Sequence, residues 1–195
     1  AGQVSARPGS NTASAWTGHI ESADSYVSDA LNRYTQIGTT TTPTYDAKGN
    51  TTSSSPGGTP TYGCNVNNIL VRSSTGAQFY PDPIGRMKFV GDSTIWTRLF
   101  EYDGDNIVTE WRPASMTMQH RYVVGPGVDE PLVWYDYSSG TLAKKFLIAD
   151  ERGSVAAVTD NAGAMLQINR YDEYGIPASG GMGMFRYTGQ VWLPE

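Results

Sequence analysis

A short motif recurs along the chain, and it restricts the possible folds more than any other feature. The sequence YDEYG occupies residues 171–175, YDAKG occupies 45–49, YDGDN occupies 102–106 and PDPIG occupies 81–85. A catalytic site is usually present once in a chain. A motif that recurs therefore indicates a repeated architectural unit.

The spacing of the motif predicts the unit that is repeated. Its anchor residues follow one another at intervals of 17 to 26 residues. Each interval has room for one strand, one turn and a return strand, which together make one β-hairpin. A lone hairpin is only marginally stable in water, whereas neighbouring hairpins bury their faces and pair their edges. The anchors are Asp29, Asp46, Asn65, Asp82, Asp103, Asp129, Asp150 and Asp172.

Each motif residue has a structural role that requires no catalysis. Tyr45 is expected to pack on neighbouring rings, and Asp46 to accept hydrogen bonds from backbone N–H groups just ahead of it. Gly49 is expected to adopt the positive φ of the turn, and a following Asn50 or Arg86 to bond carbonyls or stack on the next Tyr. The predicted structural residues are Tyr45, Asp46, Gly49, Asp82, Gly85, Arg86, Tyr102, Asp103, Asp150, Gly153, Tyr171, Asp172, Gly175, Tyr187 and Gly189.

The rest of the chain also favours strands over helices. Charged residues are only 17% of the sequence, and Gly, Ser, Thr and Tyr are abundant, which suits strands and tight turns. We therefore predict an all-β fold, an array of hairpins in a curved, spiralling sheet with no substantial helix. Residues 1–24 are predicted to be an irregular lead-in and 25–195 a single domain, within which the Thr-rich stretch 38–60 forms short edge strands. Strand-like segments are predicted at 68–74, 87–92, 94–102, 106–112, 120–125, 131–137, 144–150, 154–160 and 164–172.

Several classes of function lack support in the sequence. The net charge is −5 and no basic run exceeds Lys144–Lys145, which argues against nucleic-acid binding, and no apolar stretch is long enough for a membrane-spanning helix. His19 and His120 lack the spacing of a zinc site. Asp129 and Glu130 are adjacent in sequence, and adjacent residues on a strand point to opposite faces, so the pair fits a glycosidase poorly. We predict no enzyme activity, no catalytic residue, no metal and no cofactor.

Six stretches of the chain resemble the RHS-repeat family, also called the YD-repeat family. They are YDAKGNTT, PDPIGRM, LFEYDGDNIVTEW, RYVVGPGVDEPLVWY, ADERGSVAAVTDNAGAMLQINRYDEYGIP and FRYTGQVWLPE. Their order is similar to that of the stretch before the RHS-associated core in bacterial polymorphic toxins. The resemblance covers residues 26 to 195, and it extends distantly to teneurins and to the C components of insecticidal toxin complexes.

The resemblance implies a structural role. In this family the repeats wind a β-sheet into a hollow shell around a C-terminal toxin, so the chain is expected to be shell wall in a secreted or surface bacterial protein. The family's self-cleaving Asp-Pro motifs follow the YTGQ stretch and have no counterpart here, since Asp82-Pro83 lies far upstream. One alternative is a self-assembling extracellular filament whose repeats stack edge to edge. A second is an adhesion module that binds a carbohydrate or a receptor through Tyr and Trp faces beside Asp and Asn. The expected partners are neighbouring repeats or identical chains, an enclosed effector, and carbohydrate.

Overall fold

The structure is a computed structural model that describes residues 24–172 and 174–193, and it is built from antiparallel hairpins. Within these residues the helical segments are two three-residue 3₁₀ turns, Pro56–Gly58 and Tyr187–Gly189. The prediction of an all-β fold without substantial helix is confirmed. The strands are β1 (Tyr26–Ser28), β2 (Tyr34–Ile37), β3 (Thr44–Tyr45), β4 (Thr51–Ser53), β5 (Tyr62–Cys64), β6 (Leu70–Ser73), β7 (Gln78–Pro81), β8 (Met87–Gly91), β9 (Trp96–Asp103), β10 (Asn106–Arg112), β11 (Thr117–Val124), β12 (Pro131–Asp136), β13 (Ala143–Ala149), β14 (Val155–Thr159) and β15 (Met165–Ile168).

Strand order in the sheets follows chain order. Strands β5 to β15 form one eleven-stranded antiparallel sheet that is not closed into a barrel, and each strand pairs with its neighbours in sequence. Strands β1 and β2 form a separate two-stranded sheet, as do β3 and β4. The second of these lies within the Thr-rich stretch 38–60, where short strands were predicted. This order arises because each turn is short, so a strand returns directly beside the one before it.

The described chain divides into two compact units, with the boundary between Arg121 and Tyr122 inside β11. We call residues 24–121 the N-terminal unit and residues 122–172 and 174–193 the C-terminal unit. The predicted irregular lead-in, apart from Asp24, lies outside the described residues. Each unit has its own buried side chains and is considered by itself below.

The core of the N-terminal unit lies along β8 to β10. Val90 and Phe100 have no exposed surface, and Leu99 and Ile107 are also buried. Glu110 is buried with them, and its carboxylate lies 3.4 Å from Arg98 Nη1 and 3.9 Å from His120 Nε2. A buried carboxylate requires such partners, since an isolated charge in an apolar core is costly.

In the C-terminal unit, the chain that follows β15 helps to build the core. The Phe185 ring meets the Tyr122 ring edge to face at a centroid distance of 4.8 Å. The Asn169 side chain, almost fully buried, holds this segment by donating from Nδ2 to the carbonyls of Val155 (3.1 Å) and Met182 (3.0 Å). Residues outside the regular strands therefore cover part of the sheet. The buried apolar side chains of this unit are Tyr122, Trp134, Leu147, Val155, Val158, Met184 and Phe185.

Candidate functional site

The repeated motif forms one kind of turn, which Asp46 illustrates. Its Oδ1 accepts hydrogen bonds from the backbone N–H groups of Lys48 and Asn50, both at 2.9 Å. The backbone N–H of Asp46 donates to the Asn50 carbonyl, and that of Gly49 donates to the Asp46 carbonyl, both at 3.0 Å. Gly49 has a φ of +89°. These bonds define a three-residue hairpin loop, a type I turn followed by a glycine bulge, with the Asp side chain filling its inside.

The same set of bonds recurs in both units. The third residue after each anchor has a positive φ and is Gly or Asn. The anchors of these turns, beside Asp46, are Asp29, Asn65, Asp82, Asp150, Asp160 and Asp172. The backbone part of the turn also forms at Ser73 and at Arg186, where Gly76 and Gly189 supply the positive φ. The turn therefore depends first on the residue with positive φ and second on the carboxylate.

Two of the proposed anchors lie in other kinds of turn. Asp103 ends β9 opposite Asn106, so its hairpin has the two-residue loop Gly104–Asp105. Asp129 itself has a φ of +51°, and the carboxylate in its loop that accepts a backbone bond is Glu130, from the Gly127 N–H at 2.8 Å. Sequence reasoning did not single out Asp160 as an anchor, although DNAG at 160–163 has the necessary Asp and Gly.

Tyrosines join successive turns. The Tyr that precedes an anchor donates its hydroxyl to a carbonyl five residues after an earlier anchor. Tyr45 donates to the Tyr34 carbonyl at 2.9 Å, Tyr102 to Met87 at 2.6 Å and Tyr171 to Val155 at 2.9 Å. These bonds connect the turn of one hairpin to that of a hairpin before it. We call this row of connected turns the turn ladder.

Arginines of the N-terminal unit strengthen the same connection. Arg86 pairs with Asp82 of its own turn at 2.8 Å, lies 4.5 Å above the Tyr102 ring of the next motif, and donates to the Gly104 carbonyl. Arg33 makes two corresponding contacts. It pairs with the Asp29 carboxylate at 2.7 Å and lies 5.0 Å above the centre of the Tyr45 ring. The guanidinium suits this position because it can bond a carboxylate and stack on a ring at once.

In the turns at Asp46 and Asn65, amides and a lysine replace the arginine. Asn50 Nδ2 donates to Asn68 Oδ1 at 3.0 Å, and Lys48 Nζ donates to the Val66 carbonyl at 2.7 Å. The turns at Asp46 and Asn65 are therefore still connected although neither has an arginine after its loop. The bond between Asn50 and Asn68 joins two uncharged side chains.

Within the C-terminal unit, close packing accompanies the ladder bonds. The rings of Tyr171 and Tyr187 have centroids 5.7 Å apart, and the Thr188 N–H donates to Ser154 Oγ at 3.1 Å. Gly175 lies against the Tyr187 ring, where an added Cβ would stand 2.4 Å from a ring carbon. Gly189 is buried, and a Cβ there would overlap the Asp129 carbonyl.

The ladder's environment shifts the pKa values of its side chains. Burial raises the pKa of the Tyr102 and Tyr171 hydroxyls to about 12. The pKa of Asp46 is lowered, mainly by the bond from the Asn50 side chain, and that of Asp29 is lowered, mainly by the Arg33 N–H. At neutral pH Tyr102 and Tyr171 are therefore neutral phenols, and Asp29 and Asp46 are ionised carboxylates.

A second candidate site is a set of rings in the N-terminal unit. Tyr80, Phe89 and Trp96 have ring centroids 5.8 to 6.3 Å apart and form what we call the aromatic patch. An open cleft of about 410 Å³ lies beside Trp96. Its lining residues are Gln78, Asp92, Ser93, Thr94, Ile95, Trp96, Pro113 and Ala114.

Within 24–172 and 174–193, no three His, Cys, Asp or Glu side chains lie close enough together to hold a metal ion. Over the same residues no helix is both long and apolar enough to cross a membrane. No family model and no curated protein matches the chain.

Proposed function

We propose that the chain is a structural repeat module of the RHS type, a segment of wall in a β-shell that encloses a C-terminal effector. The observation that carries the proposal is the turn ladder. Its hydroxyls, guanidinium groups and rings are directed at neighbouring hairpins, where they stabilise the sheet. A sheet held together at its turns in this way is suited to act as a wall.

The enclosed effector and the location of the protein are parts of this proposal that rest on the resemblance of the motifs. A shell of this kind would act in a secreted or surface protein of a bacterium, and it would keep an effector apart from its surroundings until delivery. The open edges of the eleven-stranded sheet support this view, because a wall segment needs further chain or a further copy beside it.

The experiment is electron cryomicroscopy of the natural polypeptide that contains this sequence, isolated from its source cells with an antibody against residues 1–195. A hollow shell with density inside supports the proposal. A solid particle or a fibre contradicts it. Protease treatment of the same sample provides a second measurement, because an enclosed effector should survive until the shell is opened with denaturant.

A specific observation favours one other function, a self-assembling filament. Strand β15 is an edge of the sheet, and its residues Met165 and Leu166 are 55% and 42% exposed. An apolar edge strand with free backbone groups can pair with another chain.

The purified 1–195 chain should then form regular fibres in electron micrographs, and Met165→Lys should suppress them. The matched control is Met116→Lys, since Met116 is 62% exposed but lies outside the strands. Discrete particles of the unmodified chain would exclude the filament.

A further inference from the structure

The turn ladder does not account for the aromatic patch. Tyr80 is 58% exposed, and its ring lies 6.3 Å from both the Phe89 ring and the Trp96 ring. Tyr80 pairs with Phe89 across β7 and β8, so the two side chains leave the sheet on the same face. Three clustered rings, one of them mostly in water, form an apolar surface of the kind that marks binding sites.

The backbone places the cleft directly beside this surface. Gln78, Gly91 and Trp96 are successive partners across β7, β8 and β9, and the middle one has no side chain. Gly91 is required there, since a Cβ would stand 2.2 Å from the Ile95 carbonyl oxygen. The β8–β9 turn and Pro113 supply the other walls. The cleft of about 410 Å³ falls in the range of small-molecule sites, roughly 300–1,000 Å³.

The polar groups of the cleft have free bonding capacity, and the Asp92 carboxylate among them is held in place by hydrogen bonds. Asp92 Oδ1 accepts from the Thr94 N–H at 2.7 Å, the Thr94 hydroxyl at 2.6 Å and the Ile95 N–H at 3.0 Å. Among the described residues, Asp92 Oδ2, the Gln78 amide and the Ser93 hydroxyl have no hydrogen-bond partner. The Thr94 hydroxyl bond lowers the pKa of Asp92, so its carboxylate is an acceptor at neutral pH.

These features select one class of ligand. No Lys or Arg lines the cleft, which argues against phosphates and other anions. A wholly apolar ligand would cover Asp92 and Gln78 without replacing their bonds to water, which is unfavourable. A pyranose ring meets both requirements, because it has an apolar C–H face and a rim of hydroxyls.

We propose that this cleft binds a neutral saccharide, with a pyranose ring stacked on Trp96 and Tyr80 and its hydroxyls bonded to Gln78, Asp92 and Ser93. The proposal is independent of the wall function, because it uses the face of the sheet and not the ladder. A wall module with this site would attach to polysaccharide through a part of its own surface.

The test is titration of the 1–195 chain with maltohexaose, cellohexaose and hexa-N-acetylchitohexaose, followed by tryptophan fluorescence and calorimetry. At least one of the three should bind saturably. Tyr80→Ala and Gln78→Ala should each weaken that binding about tenfold. The control is Tyr26→Ala, because Tyr26 is also 58% exposed and pairs with the Tyr34 ring, whereas Tyr80 pairs with Trp96, which lines the cleft.

Three results would overturn the proposal. One is the absence of saturable binding by all three saccharides at about 10 mM. Another is binding that Tyr80→Ala and Gln78→Ala leave unchanged while far-ultraviolet circular dichroism shows a native fold. The third is saturable binding of a proline-rich peptide without binding of any saccharide, which would assign the aromatic patch to a peptide partner.

Discussion

At Asp29, Asp46 and Asp82 one carboxylate oxygen organises the loop and the other accepts a bond from a side chain. Asp46 Oδ1 holds two backbone N–H groups, and Oδ2 accepts from Asn50 Nδ2 at 2.9 Å. An amide can replace the first oxygen, as Asn65 does in its own turn. It cannot replace the second, since its NH₂ group would face the NH₂ group of Asn50.

This difference predicts how acid affects an Asp46→Asn variant. The pKa of Asp46 is lowered in the folded state, so its contribution to stability is present above the ordinary carboxyl pKa of about 4 and is lost as pH falls through the lower folded value. The variant should unfold at a lower urea concentration than the parent at pH 7, and the difference should disappear towards about pH 2. An Asp105→Asn variant serves as the control, since Asp105 is an exposed residue of the Gly104–Asp105 loop. A difference that persists in acid would assign the effect to something other than ionisation.

Two glycines at the same turn position should differ in their tolerance of a side chain. Gly49 and Gly175 have φ values of +89° and +86°, so an alanine costs each turn about 1–2 kcal/mol of backbone strain. A Cβ at Gly49 meets nothing within 4 Å, whereas at Gly175 it stands 2.4 Å from the Tyr187 ring. Urea unfolding should therefore show Gly175→Ala to be less stable than Gly49→Ala by a further ~1–3 kcal/mol. Equal losses would show that the ring moves aside.

At this scale the sequence identifies most of the ladder but misassigns some of its turns. The DxxG spacing fits the three-residue loop at Asp46, Asp82 and Asp172. In YDGDN the Gly follows the Asp directly, which suits a two-residue loop, so equal spacing along the chain was a poor guide there. Asp160 was missed because it lies inside the interval between Asp150 and Asp172, away from the spacing of 17 to 26 residues that separates the chosen anchors. Its Gly163 was the better signal.

At the scale of elements, the tyrosine hydroxyls of the ladder stabilise each hairpin by hydrogen bonds to a hairpin before it. Tyr102 donates to the Met87 carbonyl at 2.6 Å, and burial raises its pKa to about 12. Tyr102→Phe should leave that carbonyl without its partner and lower the free energy of unfolding by about 1 kcal/mol. The control is Tyr174→Phe, because Tyr174 is 76% exposed.

Alkali provides a second measurement on the same variant. Because the folded pKa of Tyr102 lies above the ordinary value of about 10, its contribution is complete below pH 10 and is lost as pH rises towards 12. The Tyr102→Phe variant should lose less stability than the parent over that interval. An identical loss in both proteins would exclude Tyr102 from the effect.

The alternation of apolar and polar residues predicted the positions of the strands better than residue composition did. The predicted segments 87–92 and 106–112 correspond closely to β8 and β10, where apolar and polar residues alternate. Strands β5 and β7 were not predicted, since Gly63 and Pro81 are residues that usually mark turns. Both pair because their sheet neighbours, β6 for the edge strand β5 and β6 and β8 for β7, supply bonds that local preference does not reveal.

The function of the whole molecule is harder to infer from sequence than its fold. Tyr and Trp serve equally in sheet packing and in saccharide stacking, and only their exposure distinguishes the two uses. Tyr102 and Tyr171 are bonded and half-buried within the ladder, whereas Tyr80 is 58% exposed beside the cleft. The sequence pattern alone does not distinguish Tyr80 from Tyr102 and Tyr171.

In an array of hairpins that are stabilised by their neighbours, a destabilising substitution should reduce stability mainly in the hairpins next to it. In repeat proteins each unit contacts mainly the next, so stability is close to a sum of unit terms and neighbour terms. Gly175→Ala disturbs the contact with Tyr187, next to the segment held by Asn169. Hydrogen exchange should show protection lost first in β14, β15 and the residues after them, with 24–121 retaining the rates of the parent chain. A uniform loss of protection over all described residues would instead mean that the chain unfolds as one cooperative block, and a description by neighbouring hairpins would then be wrong for its energetics.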